Sequence, residues 1–345
     1  MIKNLKANKF ESSLNTLTKP KFLSKNKIFI LLLLAVCLIF ICNPSVYAKS
    51  CLNAISVWSV KVLPVLFPFF IFTKIIVALI DPKQTKLDKV FFNIYHTPAT
   101  SSSVFLLSLI SGYPMGAKLV CDMYDRGIYS KQDAKRMLAF CSVSGPMFMV
   151  GTVGVAVFKN IKFGVVIMLA NILACLVNGF IFRGKKPPNL AQVNNQITQT
   201  KQSIKNENIL SNSVYDALIS ILMVGSFMVL AFLLIDVLKN TGILIVVSNL
   251  IAKITHVDAN FVQALLTGGV EITRGIIDLA ALACPMRLKL VFASCLIGFG
   301  GISIFMQSIS FLNKLKIKPS YVLLQKIVQG LLALLFAVPL SFFVC

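Results

Sequence analysis

From residue 28 onward the chain alternates long apolar runs with short polar intervals, and the lengths of the runs predict an all-α polytopic membrane protein. Ile28–Cys42 is an unbroken apolar run. Leu52–Ile80 is long enough to cross a bilayer and carries Pro64 and Pro68, four residues apart, which remove two backbone donors and predict a bend. Such a bend either borders a cavity or packs against neighbouring helices. The mixed-charge interval Asp81–Ala99 contains an amphipathic piece, Val90–Tyr95, suited to the membrane interface. Val104–Ile110 is apolar but too short to span, and it runs into Ser111-Gly-Tyr-Pro-Met-Gly-Ala-Lys118, where Gly112, Pro114 and Gly116 interrupt the backbone. Cys121–Arg136 is polar and predicted to lie outside the hydrocarbon. Met137–Phe158 is apolar but punctuated at Ser142, Ser144, Gly145, Pro146, Gly151 and Gly154, and Phe163–Phe182 is a further span.

The pattern then restarts. With an offset of 156 (267 − 111), Leu109-Ile-Ser-Gly112 falls on Leu265-Leu-Thr-Gly268, Lys118 on Arg274, Ser144-Gly145 on Gly300-Gly301, and Ile161-Lys162 on Ile317-Lys318. Each match is weak, but their shared offset over about 130 residues points to an internal duplication. The expected organisation is a basic cytoplasmic tail (1–27), a first transmembrane helix (28–50), transmembrane repeat 1 (51–183), a polar cytoplasmic linker (184–210) and transmembrane repeat 2 (211–345).

Charge sets the expected orientation. The formal net charge is +22, yet the basic residues gather in tails and loops between apolar runs, which argues for membrane topology and against nucleic-acid binding. Seven lysines against one glutamate in residues 1–27 place the N-terminus on the cytoplasmic side. A cleavable signal peptide, cut after Val46-Tyr-Ala48, is the alternative for the first apolar run. Reading Ser111–Lys118 and Thr267–Arg274 as the tips of re-entrant hairpins brings the basic linker inside; reading each as a full crossing puts it outside. The charges thus favour two inverted repeats, each of about three spanning helices and one re-entrant helical hairpin. This is the build of secondary transporters, whose sites form where broken helices meet at mid-depth.

Composition narrows the chemistry further. The nine cysteines show no Cys-x-x-Cys, and with two histidines in the chain neither a metal site nor a cofactor is expected. No nucleophile–base set or phosphate-binding loop stands at the required spacing, so an enzyme is not expected either. The candidate substrate-binding residues are Ser111, Gly112, Tyr113 and Lys118 at the first break, Ser144 and Gly145 in the punctuated span, and Thr267, Gly268 and Arg274 at the second break. Lys118 and Arg274, related by the repeat, would converge on an anionic solute with the free amides of half-helix N-termini beside them. Glu271 is a candidate for coupling to a proton or sodium ion; the competing reading pairs it with Arg274, three residues on, across one helical face. Asp236 and Arg287 are expected to snorkel to the headgroups, and Asn171 and Asn178, on one face of their helix, to glue helices together or touch solute.

Trp58 with Val62-Leu-Pro-Val-Leu-Phe-Pro-Phe-Phe-Ile71, Ser111-Gly-Tyr-Pro-Met-Gly-Ala-Lys118 and the glycine-containing Thr267–Arg274 segment resemble the YlbJ/SpoVV family of sporulation integral membrane proteins, within the nucleoside-recognition (Gate) domain membrane proteins. The resemblance covers about residues 28–343. It implies a retained first helix, an architecture similar to that of concentrative nucleoside transporters, and transport of dipicolinic acid across the outer forespore membrane during endospore formation. Dipicolinate is a small aromatic dianion, on whose ring Tyr113 could stack. The alternatives are a Gate-type transporter of nucleosides or another small solute, and a non-transporting membrane scaffold in sporulation.

Overall fold

The computed structural model describes residues 25–79, 86–98, 100–184, 208–312 and 315–344. The basic tail up to residue 24 and linker residues 185–207 lie outside the described residues. Contacts divide the chain into two units, residues 1–48 and 49–345. In the first, helix α1 (Lys25–Cys42) is followed by the start of α2 (Pro44–Val57), and the rings of Phe40 and Tyr47 lie 4.9 Å apart.

Among its described residues the second unit consists of helices and the turns and short loops that join them. After α2 the chain winds into a wider, π-type turn at Trp58–Val62 and returns to α-geometry in α3 (Leu63–Leu79). The irregularity falls just ahead of Pro64, and the helix runs on through Pro68. The short amphipathic α4 (Lys86–Tyr95) follows, then α5 (Ser101–Ser111) and α6 (Met115–Asp125), α7 (Lys131–Cys141) and the π-wound α8 (Met147–Val157), and α9 (Ile161–Ile181). Beyond the linker come α10 (Ile209–Asn240), α11 (Ile243–Thr255), α12 (Ala259–Val270), α13 (Ile272–Ala281), α14 (Met286–Phe299), α15 (Gly301–Leu312) and α16 (Pro319–Ser341). Among the described residues, five stretches are long and apolar enough to cross a membrane: 44–76, 161–181, 209–240, 286–312 and 319–341. The protein is an all-helical, multi-pass integral membrane protein.

The two halves share one order of elements. Adding 156 to the boundaries of α4 through α9 gives those of α11 through α16 to within four residues. Each half therefore has a long helix, a short amphipathic helix, a pair of short helices joined by a tight turn, a helix interrupted midway, and a final uninterrupted helix.

Local chemistry explains the interruptions. Gly112 closes α5 at φ +67°, a backbone region that L side chains rarely enter, with its N–H on the Ser108 carbonyl at 2.8 Å. The Tyr113–Pro114 peptide that follows is cis. Between α7 and α8, Ser142–Gly145 leave helical geometry before Pro146, which has no N–H to offer the preceding turn. Gly300, at φ +88°, ends α14. The paired short helices are true hairpins. A Cβ on Gly275 of α13 would stand 2.1 Å from the Gly268 Cα of α12, so the two backbones touch. In the first hairpin Gly116 of α6 lies against Ser108 of α5 in the same way, a Cβ there falling 3.2 Å from the Ser108 Cβ.

Two hydrophobic clusters fill the interior. One joins Val62, Leu66 and Phe70 of the first half to Ile221, Met228, Phe232, Ile276 and Leu290 of the second. The other packs Phe91, Phe105, Met137 and Phe140 together and reaches Leu312, Ile317 and Val322. The halves are thus built into one another rather than set side by side. Asn178 acts as glue here: its amide donates to the Ala139 carbonyl at 2.7 Å and the Gln325 carbonyl at 3.2 Å, tying α9 to α7 and α16. Asn171 bonds within its own helix and to Ser294 of α14 at 3.4 Å.

Candidate functional site

Both hairpin turns and both helix interruptions meet at a single cavity. Its empty volume, counted out to the mouth, is about 590 Å³. Ser111, Gly112 and Tyr113 come from the first turn, Glu271, Ile272 and Thr273 from the second. Ser144, Gly145, Met147 and Phe148 come from the α7–α8 break, and Ser303, Ile304 and Gln307 from the first turns of α15. Val62, Leu66, Phe69 and Phe70 of the bent helix and Val224 and Met228 of α10 complete the wall.

The turns are held there by close backbone packing. A Cβ on Gly112 would stand 2.4 Å from the Gly145 nitrogen, so the first turn lies directly on the α7–α8 break, and Gly112, at positive φ, needs glycine. In the second turn Glu271 is extended and caps α13, its carboxylate accepting from the Arg274 backbone N–H at 2.7 Å. Its side chain is 3% exposed and faces the cavity. Tyr113 reaches across to the end of α14, its hydroxyl donating toward the Ile297 and Gly298 carbonyls at 3.5 and 3.4 Å.

The polarity of the wall comes mainly from backbone and small hydroxyls. The first turns of α8, α13 and α15 all present residues to the cavity, which brings the positive ends of three helices to it, that of α13 already capped by the Glu271 carboxylate. Among the described residues the lining side chains include one carboxylate, Glu271, and no lysine or arginine. Phe69, Phe70, Tyr113 and Phe148 supply aromatic surface.

Of the residues singled out in the sequence, Ser111, Gly112, Tyr113, Ser144, Gly145 and Glu271 are brought together here. Lys118, Thr267, Gly268 and Arg274 are not part of the wall. Lys118 lies beside Lys74 and Asp122, and Lys74 pairs with Asp216 of α10 at 3.6 Å. Arg274 is occupied elsewhere: its guanidinium pairs with Asp236 at 2.5 Å, donates to the Phe232 carbonyl at 3.3 Å and sits 4.9 Å from the Phe232 ring centre. The expected pairing of Glu271 with Arg274 is corrected by this. Arg274 meets Glu271 through its backbone N–H while its charge goes to Asp236. Asp236, in turn, is tied to the second hairpin by that pair, with a side chain 18% exposed. Thr267 and Gly268 lie in the arm of the hairpin, where Gly268 gives α13 room to approach.

Several lining residues escaped the sequence reading. Thr273 adjoins Glu271, and Ser303 and Gln307 stand four apart on one face of α15, a spacing that was available as a signal. Among the described residues no group of three or more His, Cys, Asp or Glu is placed to hold a metal ion.

The fold and cavity define a multi-pass helical membrane protein whose broken helices converge on a partly enclosed cavity. Within that class the chain is similar to the sporulation integral membrane protein YlbJ of Bacillus subtilis (strain 168). The two are 25% identical over 317 residues, 86% of this chain and 78% of the relative. The likeness agrees with the resemblance to the YlbJ family read from the sequence, and the relative is named as an integral membrane protein of sporulation. No family model and no solved structure matches the chain.

Proposed function

We propose that this protein is a carrier, not an enzyme, that moves dipicolinic acid across the outer forespore membrane, binding it in the cavity between the two hairpin turns. The observation that carries the reading is the convergence of three helix N-termini on one aromatic-walled cavity. Such N-termini bind carboxylates through free amides and partial positive charge, and phenyl walls receive a pyridine ring. Glu271 is the group through which a proton or sodium ion couples to the solute. The hairpins are re-entrant and enter from opposite faces, which makes the repeats inverted. In favour of this, Lys74 beside the first hairpin pairs with Asp216 of α10, and Arg274 of the second pairs with Asp236, twenty residues (236 − 216) further along the same helix. At 1.5 Å per residue that is about 30 Å, the thickness of the hydrocarbon core.

A second reading, a carrier of nucleosides, is favoured by one feature: the polar side chains in the wall besides Glu271 are neutral, and neutral hydroxyls and amides suit a sugar and base. A scaffold without transport activity needs no cavity at the meeting of the breaks. Uptake of labelled dipicolinate by proteoliposomes, under proton, sodium or no gradient and with nucleosides as competitors, separates the readings. Saturable uptake above empty liposomes, indifferent to nucleosides, is the expected result. Uptake of nucleosides in its place overturns the assignment in favour of the second reading, and no uptake of either overturns transport.

A further inference from the structure

Behind the cavity wall, α16 carries a lysine that the chemistry above does not use. Lys326 is 4% exposed. Its ammonium donates to the Tyr113 hydroxyl oxygen, to the Ser142 carbonyl at 2.8 Å and to the Gln329 side-chain carbonyl at 2.9 Å, and lies 4.4 Å from the centre of the Tyr113 ring. An ammonium has three N–H donors, so these acceptors satisfy all of them. None of the acceptors is charged. Ion pairs among the described residues include those of Lys74 with Asp216, Arg136 with Asp133, Lys239 with Asp278 and Arg274 with Asp236, and Lys326 belongs to none of these. A further titratable neighbour, Cys175 of α9, is a thiol and not a carboxylate.

The result is a fully hydrogen-bonded amine without a carboxylate partner, set in a protein interior where charge is weakly screened. Its position relative to the cavity is specific. Tyr113 is a wall residue, and Ser142 opens the break whose Ser144 and Gly145 are wall residues too. One ammonium therefore ties both first-half cavity segments to α16, and one tyrosine side chain separates it from the solute space. Its charge has the same sign as the helix N-termini that face the cavity.

We propose that Lys326 is the positioning residue that makes this cavity select anions. It holds Tyr113 and the Ser142–Gly145 break in place, and it supplies the positive potential that a bound carboxylate neutralises. The inference rests on the cavity being the solute site, and it assigns anion preference to a residue outside the wall.

The test compares dipicolinate with its uncharged isostere, pyridine-2,6-dicarboxamide, by equilibrium binding to the purified full chain in nanodiscs. Wild type is expected to prefer the dianion by more than about ten-fold, the effect of one charge about 10 Å away at an effective dielectric of about 20. Lys326→Met is expected to weaken binding of the dianion about ten-fold more than that of the diamide, so that the preference is lost, and Lys326→Arg to restore the ratio. Equal loss of both ligands in Lys326→Met, or an unchanged preference for the dianion, overturns the proposal. Should the Met variant fail to fold, Lys326→Gln is read by the same ratio. A wild-type ratio near one overturns the selectivity claim alone, and wild-type protein that binds neither compound overturns the cavity assignment with it.

Discussion

Replacing Arg274 tests directly whether this cation serves the solute or the fold. The guanidinium makes three contacts: the Asp236 carboxylate at 2.5 Å, the Phe232 carbonyl at 3.3 Å and the Phe232 ring at 4.9 Å. Breaking a buried pair from one side costs about 3–5 kcal/mol, and with side chains 13% and 18% exposed a reduced share of about 2 kcal/mol is assigned to the pair itself. The bond to the carbonyl and the cation–π contact add about 1.5 kcal/mol together. Arg274→Gln should therefore destabilise by about 3–4 kcal/mol and Asp236→Asn by about 2–3 kcal/mol. The double variant should lose about 4 kcal/mol, less than the sum, because the shared pair is lost once. The assay is a double-mutant cycle on equilibrium unfolding in mixed micelles, with dipicolinate binding measured on each variant. A coupling energy of about 2 kcal/mol, with solute affinity unchanged in the Asp236→Asn background when Arg274 is also replaced, is the expected outcome. Additive single effects combined with lost solute affinity would refute the placement of Arg274 outside the cavity.

Three further outcomes follow from the same geometry. Gly112→Ala puts a Cβ 2.4 Å from the Gly145 nitrogen at a backbone angle that favours glycine, and is expected to cost about 2–4 kcal/mol in the same unfolding assay. Asn178→Ala leaves the Ala139 and Gln325 carbonyls without this donor, for a loss of about 1–3 kcal/mol with solute affinity retained. In proteoliposomes, Glu271→Gln is expected to abolish the dependence of uptake on a proton or sodium gradient while uptake down the solute's own gradient persists; a gradient dependence equal to that of wild type removes Glu271 from the coupling role.

The sequence carried the architecture because the breaks are written in residues with few other uses. Gly112, Pro114, Gly145 and Pro146 stand in close Gly–Pro combinations that interrupt a helix where a lone proline such as Pro68 does not, and the same order of breaks recurs in the second half at one offset although most side chains differ. It carried the tips of the hairpins for the same reason. It misplaced Lys118 and Arg274 because adjacency along the chain is not adjacency in space. A residue three or four positions past a turn has passed about one helical turn and can face a different neighbour from the tip itself. For Arg274 that neighbour is α10, whose Asp236 lies 38 residues away in sequence. Lys326 escaped notice because it sits near the start of a long helix, where a lysine ordinarily reaches water. Gln325 and Gln329 beside it were the clue, since three polar residues within five positions of a spanning helix require buried partners.

The long helix α10 also serves as a depth gauge. Asp216 and Asp236 are each engaged by a cation carried on another helix, and ionisable side chains resist being drawn toward the bilayer centre. A helix anchored by charge near both ends cannot slide along the membrane normal without dragging one of them inward. Val224 and Met228, which face the cavity, lie between the two anchors, centred on the same residue as the anchors themselves. The pair of charges that ties α10 to α3 at one end and to the second hairpin at the other therefore fixes the level of the cavity, about 15 Å from either end of the ruler.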